Sequence, residues 1–183
     1  MRSINLASAG KGNFRRTRSR LIEALWIITE WAVVTNALQP SSRLRVFSLR
    51  LFGANIGRNV ILRPRIRVKY PWLLSIGARS WIGEGVWIHN QAYVHIQDDV
   101  VISQETFLTT GSHDTRSTMN LLVAPIEIHS GAWVTARCVV LKGVVVGRNA
   151  IVTPGSVVAH SLPPGGIYRG NPCQLVCERE LTI

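Results

Sequence analysis

The sequence predicts a mainly β chain: a parallel β-helix of hexapeptides, preceded by a short helical segment and followed by a C-terminal tail. Two observations carry this. Aliphatic residues recur six apart at 76, 82, 88 and 94, at 96, 102 and 108, and at 128, 134, 140, 146, 152 and 158. A pattern of the form Ile-Gly-x-x-x-x keeps the same beat from Ile56-Gly57 through Ile76-Gly77, Ile82-Gly83 and Ile128-His129 to Val146-Gly147. A helix repeats near 3.6 residues and a strand at 2, so neither needs a period of six. A triangular coil does need it. Each hexapeptide forms one side and points its aliphatic residue into the stack, and three units close a turn of about 18 residues. Small residues ahead of the next aliphatic position suit the tight corners.

Residues 1–55 read as a basic N-terminal arm with helices. Residues 1–20 are polar and arginine-rich, an extended arm. Residues 21–38 are apolar enough to raise the question of a membrane span, but Glu23, Glu30 and Asn36 would lie inside it, and charge near a bilayer centre is costly. With Trp26 and Trp31 among its aliphatics, the stretch reads instead as a buried or interfacial helix. Arg15, Arg16, Arg18 and Arg20 just before it point to peripheral membrane contact through the arm. Pro40 ends this helix, and residues 43–52 suit a second. Residues 56–163 form the β-helix and residues 164–183 the tail. The beat fails twice: Lys69-Tyr70-Pro71-Trp72 adds two residues between Val68 and Ile76, and 20 residues stand between Leu108 and Ile128 where 18 are expected. The second break is polar and places a loop at about 109–125. Loops that leave a regular scaffold are where binding and catalysis concentrate.

Charge is uneven along the chain. Of 21 Lys and Arg, 14 lie in residues 1–69 against only Glu23 and Glu30, while the remainder is nearly neutral. A basic end attracts nucleic acid, anionic lipid or phosphate-bearing small molecules. No nucleic-acid fold signature accompanies it, so no nucleic-acid partner is expected. Three cysteines without a recognisable cleaved signal peptide predict reduced thiols and a cytoplasmic protein, peripheral at the inner face of the membrane if the arm docks there. Cys173-x-x-x-Cys177 has no second pair to complete a tetrahedral set, and no metal is expected. Trp81, Trp87 and Trp133 on the flat sides suit packing between identical subunits.

Three segments together carry a resemblance. They are Leu51-Phe52-Gly53-Ala54-Asn55-Ile56-Gly57 with Tyr70-Pro71-Trp72, then Thr110-Gly111-Ser112-His113-Asp114, then Pro163-Pro164 through Gly170-Asn171-Pro172. Over nearly its whole length the chain resembles the hexapeptide-repeat acyltransferases, and within them the colanic-acid-type O-acetyltransferases of exopolysaccharide biosynthesis. The resemblance implies a homotrimer of left-handed β-helices that transfers acetyl from acetyl-CoA to a sugar hydroxyl, the donor lying in a groove between neighbouring subunits.

An alcohol is a poor nucleophile until its proton is being removed, and histidine near its ordinary pKa of ~6.5 suits that task at neutral pH. His113, in the polar loop, matches the family's catalytic histidine. The residue holding its imidazole is open between Asp114, adjacent in sequence, and Glu84, which coil stacking could bring near; the relatives' asparagine in this region is replaced by Gly83-Glu84-Gly85. For the donor, the resemblance implicates Ala136, the Pro154-Gly155 turn, Ala159-His160 and Arg169-Gly170-Asn171-Pro172. The relatives' Thr-Lys is Ala159-His160 here, which leaves the phosphate contacts to Arg137, Lys142, Arg148 or Arg169. His89 and His95 sit in regular hexapeptides and are expected to face solvent. A zinc reading with His113 lacks the close histidine pair that β-helical zinc enzymes carry. The alternative functions are acetyl transfer to an antibiotic or other small hydroxyl acceptor, and a non-enzymatic, membrane-docked β-helical module.

Overall fold

The structure is a computed structural model and describes residues 6–181. Strands of two to four residues stack into three parallel faces. The first face is Asn55–Ile56, Leu74–Ile76, Val94–Ile96, Ile126–Ile128 and Val145–Val146. The second is Ile61–Leu62, Trp81–Ile82, Val101–Ile102, Trp133–Val134, Ile151–Val152 and Gly166–Arg169. The third is Arg67–Val68, Trp87–His89, Phe107–Thr109, Val139–Val140 and Val157–Val158. The chain visits the faces in that order, coil after coil, which makes a parallel β-solenoid.

The register explains the six-residue beat. Ile56, Ile76, Ile96, Ile128 and Val146 lie one above another, as do Leu62, Ile82, Ile102, Val134 and Val152, and Val68, Ile88, Leu108, Val140 and Val158. All are buried and form the axis of the core. The glycine after the aliphatic residue answers to stacking, because the next coil passes directly over it. A Cβ on Gly57 would sit 2.5 Å from the Ala78 amide nitrogen, and one on Gly147 2.5 Å from the Pro164 nitrogen. The turning itself happens two residues later, where Asn59, Asn149 and Gly131 adopt φ of 57°, 58° and 74°. Asparagine and glycine tolerate that left-handed conformation best.

The phase of the interruptions differs from the sequence reading. Ile96 pairs with Ile128, and Leu108 and Ile128 belong to consecutive faces, so a regular coil would put one hexapeptide between them. The break is therefore a whole inserted loop and not a slip of two residues. A second two-residue insertion lies between Ile88 and Ile96, above the one at Tyr70-Pro71-Trp72. Val94 and Ile96 are both buried in the same strand, which is why the sequence supports both phases there. Buried Asn90 stitches the two insertions together: its Oδ1 accepts from Tyr70 N at 3.0 Å and its Nδ2 donates to Tyr70 O at 2.7 Å.

The N-terminal helices cap the open end of the solenoid. Helix α1 (Arg20–Thr29) runs into a π turn, Glu30–Val34, and α2 spans Ser42–Leu51. Ser19 and Ser41 cap them, each accepting from the backbone N–H three residues on. The first strand of each face presents unpaired backbone groups, and side chains from these helices take them. Arg50 donates to Ile56 O and Gly57 O at 2.6 and 2.9 Å. Ser42 Oγ accepts from Leu62 N at 2.9 Å. Glu30 Oε1 accepts from Val68 N at 2.5 Å, and Trp26 Nε1 donates to Val68 O at 2.7 Å. A terminal coil left bare would be an aggregation edge, so these caps close the array. Beneath them Arg45 is wholly buried and donates to the carbonyls of Val34, Asn36 and Gln39.

At the other end the expected tail is ordered structure. Gly166–Arg169 continues the second face, and Gln174–Glu178 returns antiparallel to it as a hairpin. Cys138 is buried, Cys173 half-buried and Cys177 exposed, and all three are unpaired.

Candidate active site

The inserted loop is a hairpin rooted at the corner between the third and first faces. Gly111–His113 pairs antiparallel with Leu121–Val123, and His113 stands opposite Leu121. Its base is fixed to the scaffold: Thr110 Oγ1 accepts from the N–H groups of Gln91 and Ala92 at 2.7 and 2.9 Å, and Ala124 N donates to Thr110 O at 3.0 Å. Its tip is a turn in which Asp114 N donates to Asn120 O and Met119 N donates to Asp114 O.

His113 is exposed, and its Nδ1 lies 2.8 Å from the Met119 carbonyl oxygen. A carbonyl only accepts, so Nδ1 carries the proton and the neutral ring holds its lone pair on Nε2. The imidazole is thereby fixed in tautomer and orientation, which a general base requires. Within one chain neither carboxylate suggested by the sequence makes this bond. Asp114 accepts from Ser117 Oγ and from Arg116 N, and these bonds hold its carboxyl below the usual carboxylate range. Glu84 lies on another corner, between the second and third faces, where it pairs with Arg65 at 3.3 Å. Within one chain the group bonded to Nδ1 is the Met119 backbone carbonyl, which leaves no trace in residue type.

A second group escaped the sequence reading. The arm crosses the outer strand of the hairpin: Leu121 N donates to Gly10 O at 3.1 Å, Asn13 N to Leu121 O at 3.2 Å, and Gly10 N to Asn120 Oδ1 at 2.6 Å. Gly12, at φ 53°, leaves no room for a side chain beside the Leu121 carbonyl. No spacing rule links residues 110 apart.

His89 departs from its expected solvated place. It is half-buried on the third face, 3.2 Å from Lys69 Nζ and beside Trp87 and Phe107, and burial first, then Lys69 and Arg67, push its pKa down. His95 is exposed on the first face, as expected. Among the described residues no three His, Cys, Asp or Glu side chains form a group able to hold a metal ion.

The residues implicated in donor binding separate into two places. Ala136, Pro154 and Gly155 line a depression of about 560 Å³ at the corner between the second and third faces, together with Gln104, Glu105 and Arg137. Space beyond Gly155 is open, so its backbone is free to meet a ligand. The turn at Arg169-Gly170-Asn171-Pro172, with a cis Asn171–Pro172 bond, is tied to the same edge, Gly170 N donating to Ser156 Oγ at 3.0 Å and Val157 N to Gly170 O at 2.9 Å. Ala159 and His160 stand apart from them, at the corner from which the hairpin also springs. A larger cavity of about 740 Å³, between α2 and the first coil, contains none of these residues.

The chain is thus a solenoid of hexapeptide coils that extrudes one histidine-bearing hairpin at a corner. No protein-family model matches the chain. It is 37% identical over 159 residues to WcaF of Escherichia coli (strain K12), provisionally assigned as a colanic acid biosynthesis acetyltransferase, across 86% of this chain and 87% of that protein. It is 28% identical over 129 residues to the galactoside O-acetyltransferase of the same strain, across 68% of this chain and 64% of that protein. Among solved structures, the hexapeptide-repeat acetyltransferase VCA0836 of Vibrio cholerae O1 biovar eltor, complexed with acetyl coenzyme A, superposes with a TM-score of 0.83 at 20% identity, over 96% of this chain and 98% of that one. A galactoside acetyltransferase in complex with coenzyme A gives 0.79 at 21% identity, over 90% and 86%. The chain belongs to the hexapeptide-repeat acetyltransferase family, with WcaF as a relative along most of its length.

Proposed function

We propose that the protein is an O-acetyltransferase that moves the acetyl group of acetyl-CoA to a sugar hydroxyl of an exopolysaccharide or its precursor, with His113 as general base. The observation that carries this reading is the His113 Nδ1–H bond to the Met119 carbonyl, which leaves Nε2 free to take a proton. Acetyl-CoA supplies an acyl thioester, and the transfer is direct. Nε2 of His113 accepts the acceptor's hydroxyl proton as that oxygen bonds to the acetyl carbon. The carbon–sulfur bond then breaks, and His113 returns the proton to the departing thiolate.

The relatives named for acetyl transfer support the reaction, and the open corner at Ala136, Arg137, Pro154 and Gly155 supports donor binding there, with Arg137 and Arg169 as cations suited to phosphate. His113 and that depression lie on different corners of one chain. A groove between two copies would join them, which favours a homotrimer whose active sites each draw on two subunits.

The test is thiol release from acetyl-CoA with candidate glycans, comparing wild type with His113→Asn. Asparagine can keep a donor near the Nδ1 position while lacking Nε2. A fall in turnover of about 10²–10⁴-fold at unchanged melting temperature is expected. Turnover like that of wild type would remove His113 as the base.

A further inference from the structure

Helix α1 and its π turn are amphipathic the wrong way round for a helix in water. Both of their acids face inward: Glu23 pairs with Arg16 at 3.0 Å, and Glu30 receives the Val68 N–H. Trp26 and Val34 are buried beside them. Every exposed residue from 21 to 38 is apolar, with Leu21, Leu25 and Ile28 on one side of α1 and Trp31 77% exposed just beyond. A helix of a water-soluble surface puts its charges outside, so this face is built for something other than water.

Its flank supplies the second observation. Arg15, Arg18 and Arg20 are exposed, and among the described residues no carboxylate pairs with them. Apolar side chains bordered by unpaired cations complement an anionic bilayer surface, whose phosphates meet the arginines while the aliphatics and Trp31 enter the headgroup boundary. Self-association on this face would gather arginines from both copies together, and an uncharged apolar partner would leave them unused. Arg20 to Val34 spans about 22 Å as a helix, short of a hydrocarbon core of about 30 Å, and no helix among the described residues is long and apolar enough to cross a membrane.

We propose that the outward face of residues 21–34, rimmed by Arg15, Arg18 and Arg20, docks the protein on anionic lipid, with the helix lying in the headgroup plane. This sharpens the contact expected from the arm: the arm supplies the cations and α1 the insertion. It stands independently of acetyl transfer.

The test is co-sedimentation of the full chain with vesicles of phosphatidylcholine plus phosphatidylglycerol, and of phosphatidylcholine alone. Wild type is expected to sediment with the anionic vesicles and to be released by salt. Leu25→Ser with Ile28→Ser should weaken binding more than tenfold through lost apolar burial. Arg15→Gln, Arg18→Gln and Arg20→Gln together should weaken it about a hundredfold. Both variants alter exposed side chains only and should melt like wild type. Wild type that stays in the supernatant with both vesicles, or a Leu25/Ile28 variant that sediments unchanged, would overturn the proposal. So would a change of oligomeric state in that variant on size exclusion, which would assign the face to a second copy.

Discussion

Asn13 and Val123 hold each other by a reciprocal pair of hydrogen bonds: Asn13 Nδ2 donates to Val123 O at 2.9 Å, and Val123 N donates to Asn13 Oδ1 at 2.7 Å. The N-terminal arm thus clamps the strand that backs His113. Asn13→Ala removes both bonds, each contributing about 1 kcal/mol net, and should lower kcat roughly tenfold as the hairpin spends less time ordered. The melting temperature should move little, because the arm lies outside the solenoid core. Asn13→Asp keeps the acceptor for Val123 N and should fall between. Steady-state kinetics beside thermal melts decide this, and an unaltered kcat in Asn13→Ala would mean that the hairpin needs no clamp.

Met119 offers a test of where the acceptor for His113 resides. Its φ of 55° lies in the left-handed region, which costs a non-glycine residue about 1 kcal/mol. If the backbone carbonyl alone orients the ring, Met119→Gly relieves that strain and retains the bond. Turnover should then stay within about threefold of wild type, since only extra unfolded-state freedom is added. A loss comparable to that of His113→Asn would assign the orienting role to the thioether side chain instead.

Glu84 and Asp114 separate by the same kind of measurement. Arg65 is largely exposed and Glu84 half-buried, and pairs open to solvent contribute about 0–1 kcal/mol. Glu84→Gln should leave kcat within about twofold. Asp114 accepts from Ser117 Oγ and Arg116 N and so shapes the turn that delivers the Met119 carbonyl. Asp114→Ala should lower kcat severalfold, and Asp114→Asn, which keeps an acceptor, less. A larger loss from Glu84→Gln than from Asp114→Ala would reverse the assignment.

The core was legible because a period of six has one structural cause, and every aliphatic position counted from 76 to 158 is buried. The loop was legible as the place where that period stops, and His113 as the imidazole it carries. The length of its insertion was misread because Leu108 and Ile128 lie on consecutive faces, and the insertion between Ile88 and Ile96 was missed because Val94 and Ile96, two apart, are both core residues. Partners that act through the backbone stayed hidden. The carbonyl of Met119 has no side-chain signature, and the Asn13–Val123 pair spans 110 residues without a periodic relation. The capping roles of Ser42, Arg50 and Glu30 were equally silent, because polar residues on a helix suggest solvent and only the coil beneath reveals what they bind.

Glu30 makes that last point measurable through pH. Burial raises its pKa, against the opposing pull of the Val68 N–H and of Arg67. A carboxyl whose folded pKa lies above its unfolded value favours the folded state most when protonated. Its contribution is fully present below the ordinary carboxylate pKa and is lost as pH rises through the raised one. Above that raised pKa the ionised Glu30 therefore costs stability that its hydrogen bond to Val68 only partly offsets. Glu30→Gln keeps an acceptor for that N–H without the charge. It should raise the melting temperature at pH 7.5 by about 2–4 °C, the shift expected from about 1 kcal/mol in a domain of this size, and leave it unchanged near pH 4. Glu30→Ala removes the acceptor as well, strands the Val68 N–H at the solenoid edge, and should melt below Glu30→Gln at both pH values. Equal melting curves for wild type and Glu30→Gln at pH 7.5 would show that the capping carboxyl carries no burial penalty.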